Sequence, residues 1–355
     1  MEQKRALIAM SGGVDSSVAA YLVQSGGLDC IGATMRMCDS ELLGCACPDP
    51  GTDAKAVADR LGIPFHVFDT CKEFREHVVT DFIESYEQGD TPNPCIRCNK
   101  TMKFGVLLEK ATELGCDHIV TGHYAQIEKD PETGRFLLKK AVDENKDQSY
   151  FLACLNQAQL SKILLPLGSL TKAETRNIAE EQGFITAKKR DSQDICFIPD
   201  GDYKAFMERY TKKVYPAGDY LDLDGKVLGK HQGAVGYTLG QRKGLGIALG
   251  EPAYVCAKDM ENNTVTLGKN EDLFKKVLRA KDWNFMPFET LTEPMRVLAK
   301  VRYRHTPQPA TVYPEKNGFA RVEFDEPQRA ITTGQAVVLY DGNTVIGGGT
   351  ITEVL

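Results

Sequence analysis

The chain has 355 residues, of which 42% are hydrophobic and 26% charged, and its formal net charge is −6. This length is typical of two or three domains, and the composition is that of a globular protein with a buried core. No stretch approaches the ~20 consecutive apolar residues of a membrane-spanning helix, so the sequence predicts a protein that does not enter a membrane.

The N-terminus and the cysteines bear on the cellular compartment. Met1 to Arg5 lead straight into an apolar segment and leave no room for a signal peptide, so we expect a cytoplasmic protein. In a reducing compartment the 11 cysteines should be buried, catalytic or metal-bound rather than structurally paired.

Acidic residues are in excess up to residue 205, whereas the rest of the chain is close to neutral. Such a chain can bind a polyanion through local basic patches. Each candidate patch is explained equally well as a polyanion contact and as ordinary solvent-exposed surface. The candidates are Lys188-Lys189-Arg190, Arg242-Lys243 and the pair Arg302 and Arg304.

A glycine-rich turn joins the first predicted strand to the first predicted helix. The apolar run Ala6 to Met10 precedes Ser11-Gly12-Gly13-Val14-Asp15-Ser16, and residues with helical spacing follow from Ser17. Backbone N–H groups and a helix N-terminus make such a turn an anion site, and glycine lets the backbone approach a phosphate closely. Asp15 would repel phosphate alone, which indicates a shared Mg²⁺.

No lysine occupies the Walker A position after this turn. The motif instead matches the pyrophosphate-binding loop, or PP-loop, of enzymes that cleave ATP to AMP and pyrophosphate. The alternative is a glycine turn capped by serine, without a ligand.

Strands alternate with helices up to about residue 205. This pattern predicts a doubly wound parallel sheet in an α/β domain, with ligands at the carboxyl ends of its strands. After the first strand and helix, we predict strands at 31–35, 65–68 and 118–121 and helices at 52–61, 74–88, 103–114 and 172–182.

The pattern changes after Tyr203. Residues 214–272 are rich in glycine, aspartate and short β-branched runs, and clear alternation with a period of two follows residue 279. We therefore predict three domains: a PP-loop catalytic domain (1–205), a small, mostly-β domain (206–278) whose basic pair Arg242-Lys243 is a candidate polyanion contact, and an antiparallel β-barrel (279–355).

A Cys-x-x-Cys motif is the second strong signal. Cys95 and Cys98 follow two prolines and would open the helix predicted from Lys103. A helix N-terminus and the cations Arg97 and Lys100 would lower the pKa of such a thiol, as a nucleophile requires.

Two other interpretations of the cysteines remain open. The motif could be half of a zinc site, whose other half would be Cys45 and Cys47, with Cys38 nearby. Further along the chain, Cys196 lies between charged residues and a proline, which favours a mobile, reactive loop over a buried thiol.

These segments together resemble the tRNA-specific 2-thiouridylases, and the resemblance covers essentially the whole chain. The matching segments are Ala9 to Ser17, Asn93-Pro94-x-x-x-Cys98-Asn99, Thr121 to Tyr124, Lys146 to Leu152, Ser192 to Ile198, His231 to Gly246, Val301 to Arg304, Pro327 to Ile331 and Gly334-Gln335.

The resemblance implies a role for each of these segments. It implies ATP binding by Ala9, Met10, Ser11, Gly12, Gly13, Val14, Asp15, Ser16, Met35 and Gly122. It implies that Asn93, Pro94 and Cys95 face the target base. It implies tRNA contacts by His123, Lys146, Asp147, Gln148, Arg302, Tyr303 and Gln335. Cys98 corresponds to the nucleophile and Cys196 to the persulfide carrier, and the two can form a disulfide during turnover.

The implied reaction uses ATP and Mg²⁺ to adenylate O2 of the wobble uridine in tRNAs for Lys, Glu and Gln. Sulfur then displaces AMP. No rhodanese-like segment is visible, so sulfur would come from a cysteine desulfurase or a sulfur-relay protein. We expect a monomer.

One common form of the family carries Asp at the position of Cys95. With cysteine there, Cys95, Cys98 and Cys196 could converge and bind a [4Fe–4S] cluster, as in related sulfur-inserting PP-loop enzymes. Persulfide transfer is the alternative mechanism. Cys38 to Cys47 would be either an exposed insertion or a sulfur-relay contact.

Two other functions were weighed against this one. The first is another adenylating PP-loop enzyme, such as a synthetase of the amidotransferase type. The second is a non-catalytic RNA-binding or sulfur-carrier scaffold.

Overall fold

A computed structural model describes residues 4–44, 51–189 and 195–355. Cys45 and Cys47 lie outside the described residues, as do Arg190 of the first basic patch and the Ser192-Gln193-Asp194 part of the Cys196 motif.

Strands and helices alternate in the first half of the chain, and strands dominate the second. The strands are β1 (Arg5–Ala9), β2 (Asp29–Arg36), β3 (Phe65–Asp69), β4 (His118–Val120), β5 (Ala125–Lys129), β6 (Phe136–Lys140), β7 (Ile163–Leu164), β8 (Gly218–Leu221), β9 (Val227–His231), β10 (Tyr254–Asp259), β11 (Thr264–Gly268), β12 (Phe274–Phe285), β13 (Met295–Lys300), β14 (Gln308–Pro314), β15 (Ala320–Arg329), β16 (Ala336–Asp341) and β17 (Thr344–Val354). The α-helices are α1 (Val14–Ser25), α2 (Ser40–Leu43), α3 (Thr52–Leu61), α4 (Cys71–Phe74), α5 (Thr80–Glu87), α6 (Pro94–Cys98), α7 (Leu107–Glu113), α8 (Ser149–Leu152), α9 (Gln157–Leu160), α10 (Lys172–Glu181) and α11 (Tyr203–Thr211).

The predicted doubly wound sheet is present. Its strands pair in parallel in the order β3-β2-β1-β4-β7. Ala6 and Ile8 of β1 pack on the face covered by α1, α3 and α10, whereas Leu7 packs on the opposite face against Phe104 and Leu107. The strand order reverses between β1 and β4, and a ligand site is expected at their carboxyl ends.

Two β units follow this sheet, as the sequence predicts. The first is a four-stranded sheet, β10-β11-β8-β9, whose core includes Tyr220, Val255 and Val265. The second is an antiparallel barrel in which β12, β15, β14, β13, β16 and β17 pair in turn, and β12 closes the ring by pairing with β17.

The hairpin β5-β6 was not predicted. It lies in sequence between strands of the parallel sheet, yet Lys139 of β6 pairs with Thr344 of the barrel strand β17. Tertiary pairing across some 200 residues decides this placement, and no local pattern signals it.

Two predicted helices differ from the observed ones. The segment predicted at 74–88 is α4, a π-helical stretch (Arg75–Val79) and α5. The helix predicted from Lys103 begins at Pro94 and passes through a second π-helical stretch (Asn99–Val106) into α7. Among the described residues, no helix is long and apolar enough to cross a membrane.

The early start of the second helix has a local cause. The Asn93 side chain accepts a hydrogen bond from the Ile96 N–H at 3.3 Å, and Pro94 occupies the first turn, where proline is favoured. Cys95 and Cys98 therefore open the helix, as the sequence predicts, whereas the predicted helix start at Lys103 was wrong.

Candidate active site

The glycine-rich turn lies at the carboxyl end of β1 and leads into α1. Gly12 has a φ of +69°, and a Cβ there would meet the Cβ of Asp53 at 3.2 Å. Ser16 Oγ accepts the Ser11 N–H at 3.2 Å and lies 3.1 Å from the Gly13 carbonyl, to which it donates. The turn is thus held by its own serines, while the first-turn amides of α1 have no partner four residues earlier in the helix and make an anion site.

The other residues assigned to ATP by resemblance lie at the same edge of the sheet. Met35 is near the end of β2, and Gly122 follows β4. A Cβ on Gly122 would be 2.7 Å from the carbonyl carbon of Asp15 and 2.8 Å from the Ser16 nitrogen. Glycine at this position lets the end of β4 lie directly against the start of α1.

Asp15 is engaged by two residues that the sequence analysis did not identify. Its carboxylate accepts hydrogen bonds from Lys172 Nζ at 2.6 and 2.8 Å and from the Tyr124 hydroxyl at 2.8 Å. Lys172 is the first residue of α10, which begins with a capping box between Thr171 and Glu174. That Thr-x-x-Glu pattern signals a helix start, but nothing local indicates that the next residue reaches the PP-loop.

The three predicted thiols lie close enough to influence one another. Burial raises the pKa of Cys98 to about 12 and also raises the pKa of Cys95, and in both cases a thiolate at Cys196 adds to the increase. Cys98 is buried. Cys95 and Cys196 keep exposed surface, although the surrounding protein still desolvates their thiols. The sequence-based expectation of a lowered pKa at the Cys-x-x-Cys motif was therefore wrong.

The cation near these thiols is Lys103, not Arg97 or Lys100. The Lys103 ammonium favours the thiolates of Cys95, Cys98 and Cys196. Arg97 instead donates to the His77 carbonyl at 3.0 Å, on the other side of the helix. The π-helical stretch from Asn99 widens the turn, and Lys103 follows Cys98 by five positions, which is the i→i+5 spacing of a π-helix.

Cys196 differs from the other two thiols. A hydrogen bond with the Cys38 side chain and the charge of Lys103 lower its pKa to about 7, although burial acts in the opposite direction. Cys38 lies just beyond the end of β2 and packs on the same apolar cluster as Cys98. Cys38 therefore lies against the predicted thiols, whereas the sequence left open an exposed insertion or a sulfur-relay contact.

The described geometry does not support the iron–sulfur cluster, and the zinc alternative rests on Cys45 and Cys47, which lie outside the described residues. Within residues 4–44, 51–189 and 195–355, no group of three or more His, Cys, Asp or Glu side chains is arranged to hold a metal ion. A [4Fe–4S] cluster with three protein ligands needs three convergent thiolates. Cys95, Cys98 and Cys196, as placed, do not fit that group.

His123 is buried, with 8% of its surface exposed. Its Nδ1 lies 2.8 Å from Thr121 Oγ1, and its Nε2 lies 3.5 Å from Lys103 Nζ. Burial holds its pKa well below the usual value, so the ring is neutral. His123 therefore contacts the cation that faces the thiols.

The other residues assigned to tRNA lie in two regions, the loop that carries Lys146 and the β-barrel. Asp147 is buried and accepts the Ala141 and Ser149 N–H groups at 3.1 and 3.2 Å, which fixes the loop that carries Lys146. Gln148 Oε1 accepts the Tyr124 N–H at 2.9 Å.

The barrel presents aromatic rings and cations next to this loop. Tyr303 packs against Phe151, with 4.4 Å between ring centroids. Lys300 Nζ lies 5.6 Å from the centre of the Tyr303 ring. Burial lowers the pKa of Arg302, and the charge of the neighbouring Arg329 lowers it further.

Gln335 connects the barrel to the segment that carries the thiols. Its Nε2 donates to the Thr91 carbonyl at 2.7 Å and to the Pro92 carbonyl at 3.4 Å. The Thr91 N–H in turn donates to the Thr333 carbonyl at 2.9 Å. The barrel loop thereby fixes the approach to Asn93.

The structure has a PP-loop at the switch point of a parallel sheet, three thiols that influence one another, and a β-barrel after them in the chain. These features define an adenylating PP-loop protein with cysteine chemistry. Comparison with known proteins makes this specific. The matching family profiles are the tRNA methyl transferase HUP domain (residues 4–200), the tRNA methyl transferase PRC-barrel domain (204–269) and the aminomethyltransferase beta-barrel domain (275–351).

Two full-length relatives carry the same name. The tRNA-specific 2-thiouridylase MnmA of Clostridioides difficile is 50% identical over 357 residues and covers 99% of both chains. The protein of that name from Acetivibrio thermocellus is 48% identical and covers 99% of this chain and 100% of its own. The chain belongs to the tRNA-specific 2-thiouridylase family, and the resemblance found in the sequence is confirmed.

Among solved structures, the U34-tRNA thiolase NcsA of Methanococcus maripaludis with its [4Fe-4S] cluster is 17% identical and has a TM-score of 0.34. The likeness covers 59% of this chain and 70% of that one. A likeness of this size does not bear on function.

Proposed function

We propose that this protein is a tRNA sulfurtransferase that converts the wobble uridine of tRNAs for Lys, Glu and Gln to 2-thiouridine. One observation beyond the family carries the proposal. Strand β2 pairs with β1, which leads into the PP-loop, and the chain continues from its end at Arg36 to Cys38, whose side chain lowers the pKa of Cys196. The nucleotide site and the thiol site therefore adjoin each other at one edge of the sheet.

The first step is adenylation of the uridine. The amides at the start of α1 fit the phosphates of ATP, and Asp15 is the carboxylate available to Mg²⁺ there. O2 of uridine is a poor leaving group. It attacks the α-phosphorus of ATP and displaces pyrophosphate, and the AMP group now attached to O2 makes it a good leaving group. Bound Mg²⁺ would neutralise the charge that develops on pyrophosphate.

The second step is sulfur transfer through Cys196. With a pKa of about 7, its thiol is roughly half ionised at neutral pH and accepts a sulfane sulfur from a persulfide donor. The terminal sulfur of the Cys196 persulfide then attacks C2 of uridine, a C–S bond forms, and AMP leaves with the former O2.

Cys98 completes the transfer. Its thiolate attacks Sγ of Cys196, the S–S bond to the uridine sulfur breaks, and 2-thiouridine is released. The product on the protein is a Cys98–Cys196 disulfide, which an external thiol reduces with two electrons. Burial of Cys98 keeps its thiol protonated before that step, and the nearby Lys103 favours its ionisation.

The remaining assignments are also proposals. We propose a cytoplasmic monomer, divided at about residues 205 and 278, that receives sulfur from a cysteine desulfurase or a sulfur-relay protein. Asn93, Pro94 and Cys95 would face the target base.

The reaction itself separates this function from the alternatives. Pyrophosphate release should require substrate tRNA, and mass spectrometry of the digested product should show 2-thiouridine only when a persulfide donor is added. Pyrophosphate release without tRNA would favour a synthetase of the amidotransferase type. Tight tRNA binding without any ATP cleavage would favour a scaffold.

Arg302→Ala is expected to weaken tRNA binding. If Arg302 contacts a phosphate, its loss should also lower the slope of log K against log salt concentration by about 0.7–0.9. Filter binding across a salt series measures both quantities. Arg296→Ala is a matched control, because Arg296 pairs with Asp325 on the barrel surface. Equal affinities of the two variants would remove Arg302 from the tRNA site.

Sulfur acceptance by Cys196 should depend on pH. The thiolate is the reactive form, so alkylation by iodoacetamide should slow about tenfold per pH unit below a pKa of about 7 and level off above it. Cys38→Ala removes the largest stabilising contact and should move the profile to higher pH. Cys71→Ala serves as the control, and an unshifted Cys38→Ala profile would contradict the assigned contact.

A further inference from the structure

The PP-loop contains no cation of its own, yet a lysine from a distant helix lies against it. Lys172 follows Asp15 by 157 residues and contacts both of its carboxylate oxygens. Only 9% of Lys172 is exposed, and its ammonium lies 5.7 Å from the centre of the Tyr124 ring.

The position of this lysine is fixed by its main chain as well as by the ion pair. Its N–H donates to Asp143 Oδ2 at 3.0 Å, and the capping box of α10 holds the residues on either side. Helix α10 packs against α1 through Ala179 and Ala20 of one apolar cluster. The ammonium is therefore aimed at the start of α1 by the fold.

Electrostatics at this point favour an anion. The N-terminus of α1 carries a partial positive charge, which disfavours a nearby ammonium and favours a carboxylate or phosphate. Asp15, in the first turn of α1, offsets the charge of the ammonium. A phosphate chain with Mg²⁺ would bring several further negative charges to the same place, where an ammonium is a strong ligand for phosphate oxygens.

We propose that Lys172 binds the phosphate chain of ATP and takes the place of the lysine that the loop lacks. The proposal rests on the proposed adenylation and deepens it. The pair with Asp15 holds the ammonium at the site. Asp15 would be the carboxylate that binds Mg²⁺ there, and the Lys172 ammonium would bind the phosphate oxygens.

The test compares AMP, ADP and the non-cleavable α,β-methylene analogue of ATP, each with Mg²⁺, by calorimetry on the full chain. Lys172→Met should weaken binding of the ATP analogue by about tenfold or more and binding of AMP much less. The loss of affinity grows with the number of phosphates that the ammonium contacts. Lys172→Arg should recover part of the difference. Lys55→Met, which alters an exposed pair with Asp59, should bind all three nucleotides as the wild type does.

The outcomes distinguish a Lys172 that binds the nucleotide from one that only stabilises the fold. Equal losses for AMP and the ATP analogue, or no loss in a variant that melts as the wild type does, would overturn the proposal. Inorganic pyrophosphate, used as a competitor of the ATP analogue, gives a second readout. It lacks adenosine and therefore reports on the phosphate site alone. If the wild type bound no ATP analogue and released no pyrophosphate, the proposed adenylation would fail first.

Discussion

Cys196→Ser is expected to abolish 2-thiouridine formation while pyrophosphate release from ATP, dependent on tRNA, continues. Serine cannot carry a sulfane sulfur, whereas the adenylation site is formed by the PP-loop. Cys98→Ser should also block the product, but at a later step, with sulfur still loaded on Cys196. Loss of an essential nucleophile removes the chemical step rather than slowing it.

Mass spectrometry of the protein and of tRNA digests distinguishes these variants. The Cys98→Ser chain should accumulate a tRNA adduct on Cys196 through a disulfide, and a reductant should release it as 2-thiouridine. Cys256→Ser is a suitable control, because Cys256 lies in the four-stranded sheet away from these thiols. Normal product from Cys196→Ser would show that sulfur reaches the uridine by another route.

The PP-loop and the parallel sheet could be predicted because their signals are local. A buried strand, a glycine turn and a helix occupy consecutive residues, and backbone geometry alone brings the first-turn amides together. The same holds for the barrel, where alternation with a period of two marks each strand. In both cases the residues that signal each strand or turn are consecutive in the chain, although the strands themselves pair over long distances in sequence.

The protonation of the cysteines could not be predicted in this way. A helix N-terminus and nearby basic residues suggested a low pKa for Cys98, but burial has the larger effect and raises it. The lowered pKa of Cys196 depends on Cys38 and Lys103, which are far from it in sequence. Which charge faces which thiol is decided by tertiary packing.

Lys172 is the clearest case of a residue hidden from sequence analysis. Its ion pair joins the first helix of the sheet domain to α10, and the local pattern reports only a capped helix. The hairpin β5-β6 is similar, since its barrel partner β17 lies near the other end of the chain. A fixed motif identified the loop, and only the fold identified Lys172 as a cation that contacts it.

The ion pair alters what is expected of Asp15. Lys172 and Asp15 have side-chain exposures of 11% and 31%, so removal of the carboxylate leaves a largely buried ammonium without its partner. Breaking a fully buried pair costs about 3–5 kcal/mol, and the partial exposure of Asp15 should reduce that figure. Loss of activity in an Asp15 variant could therefore reflect the fold as well as the chemistry.

Asp15→Asn is expected to slow pyrophosphate release by about 10²–10³, because the carboxylate that would bind Mg²⁺ is lost. The double variant Asp15→Asn with Lys172→Met separates this effect from folding. Removing both charges should restore the melting temperature lost in Asp15→Asn, since no unpaired ammonium remains. Pyrophosphate release should stay low in the double variant. Recovery of the rate together with the melting temperature would show that Asp15 acts only by holding Lys172.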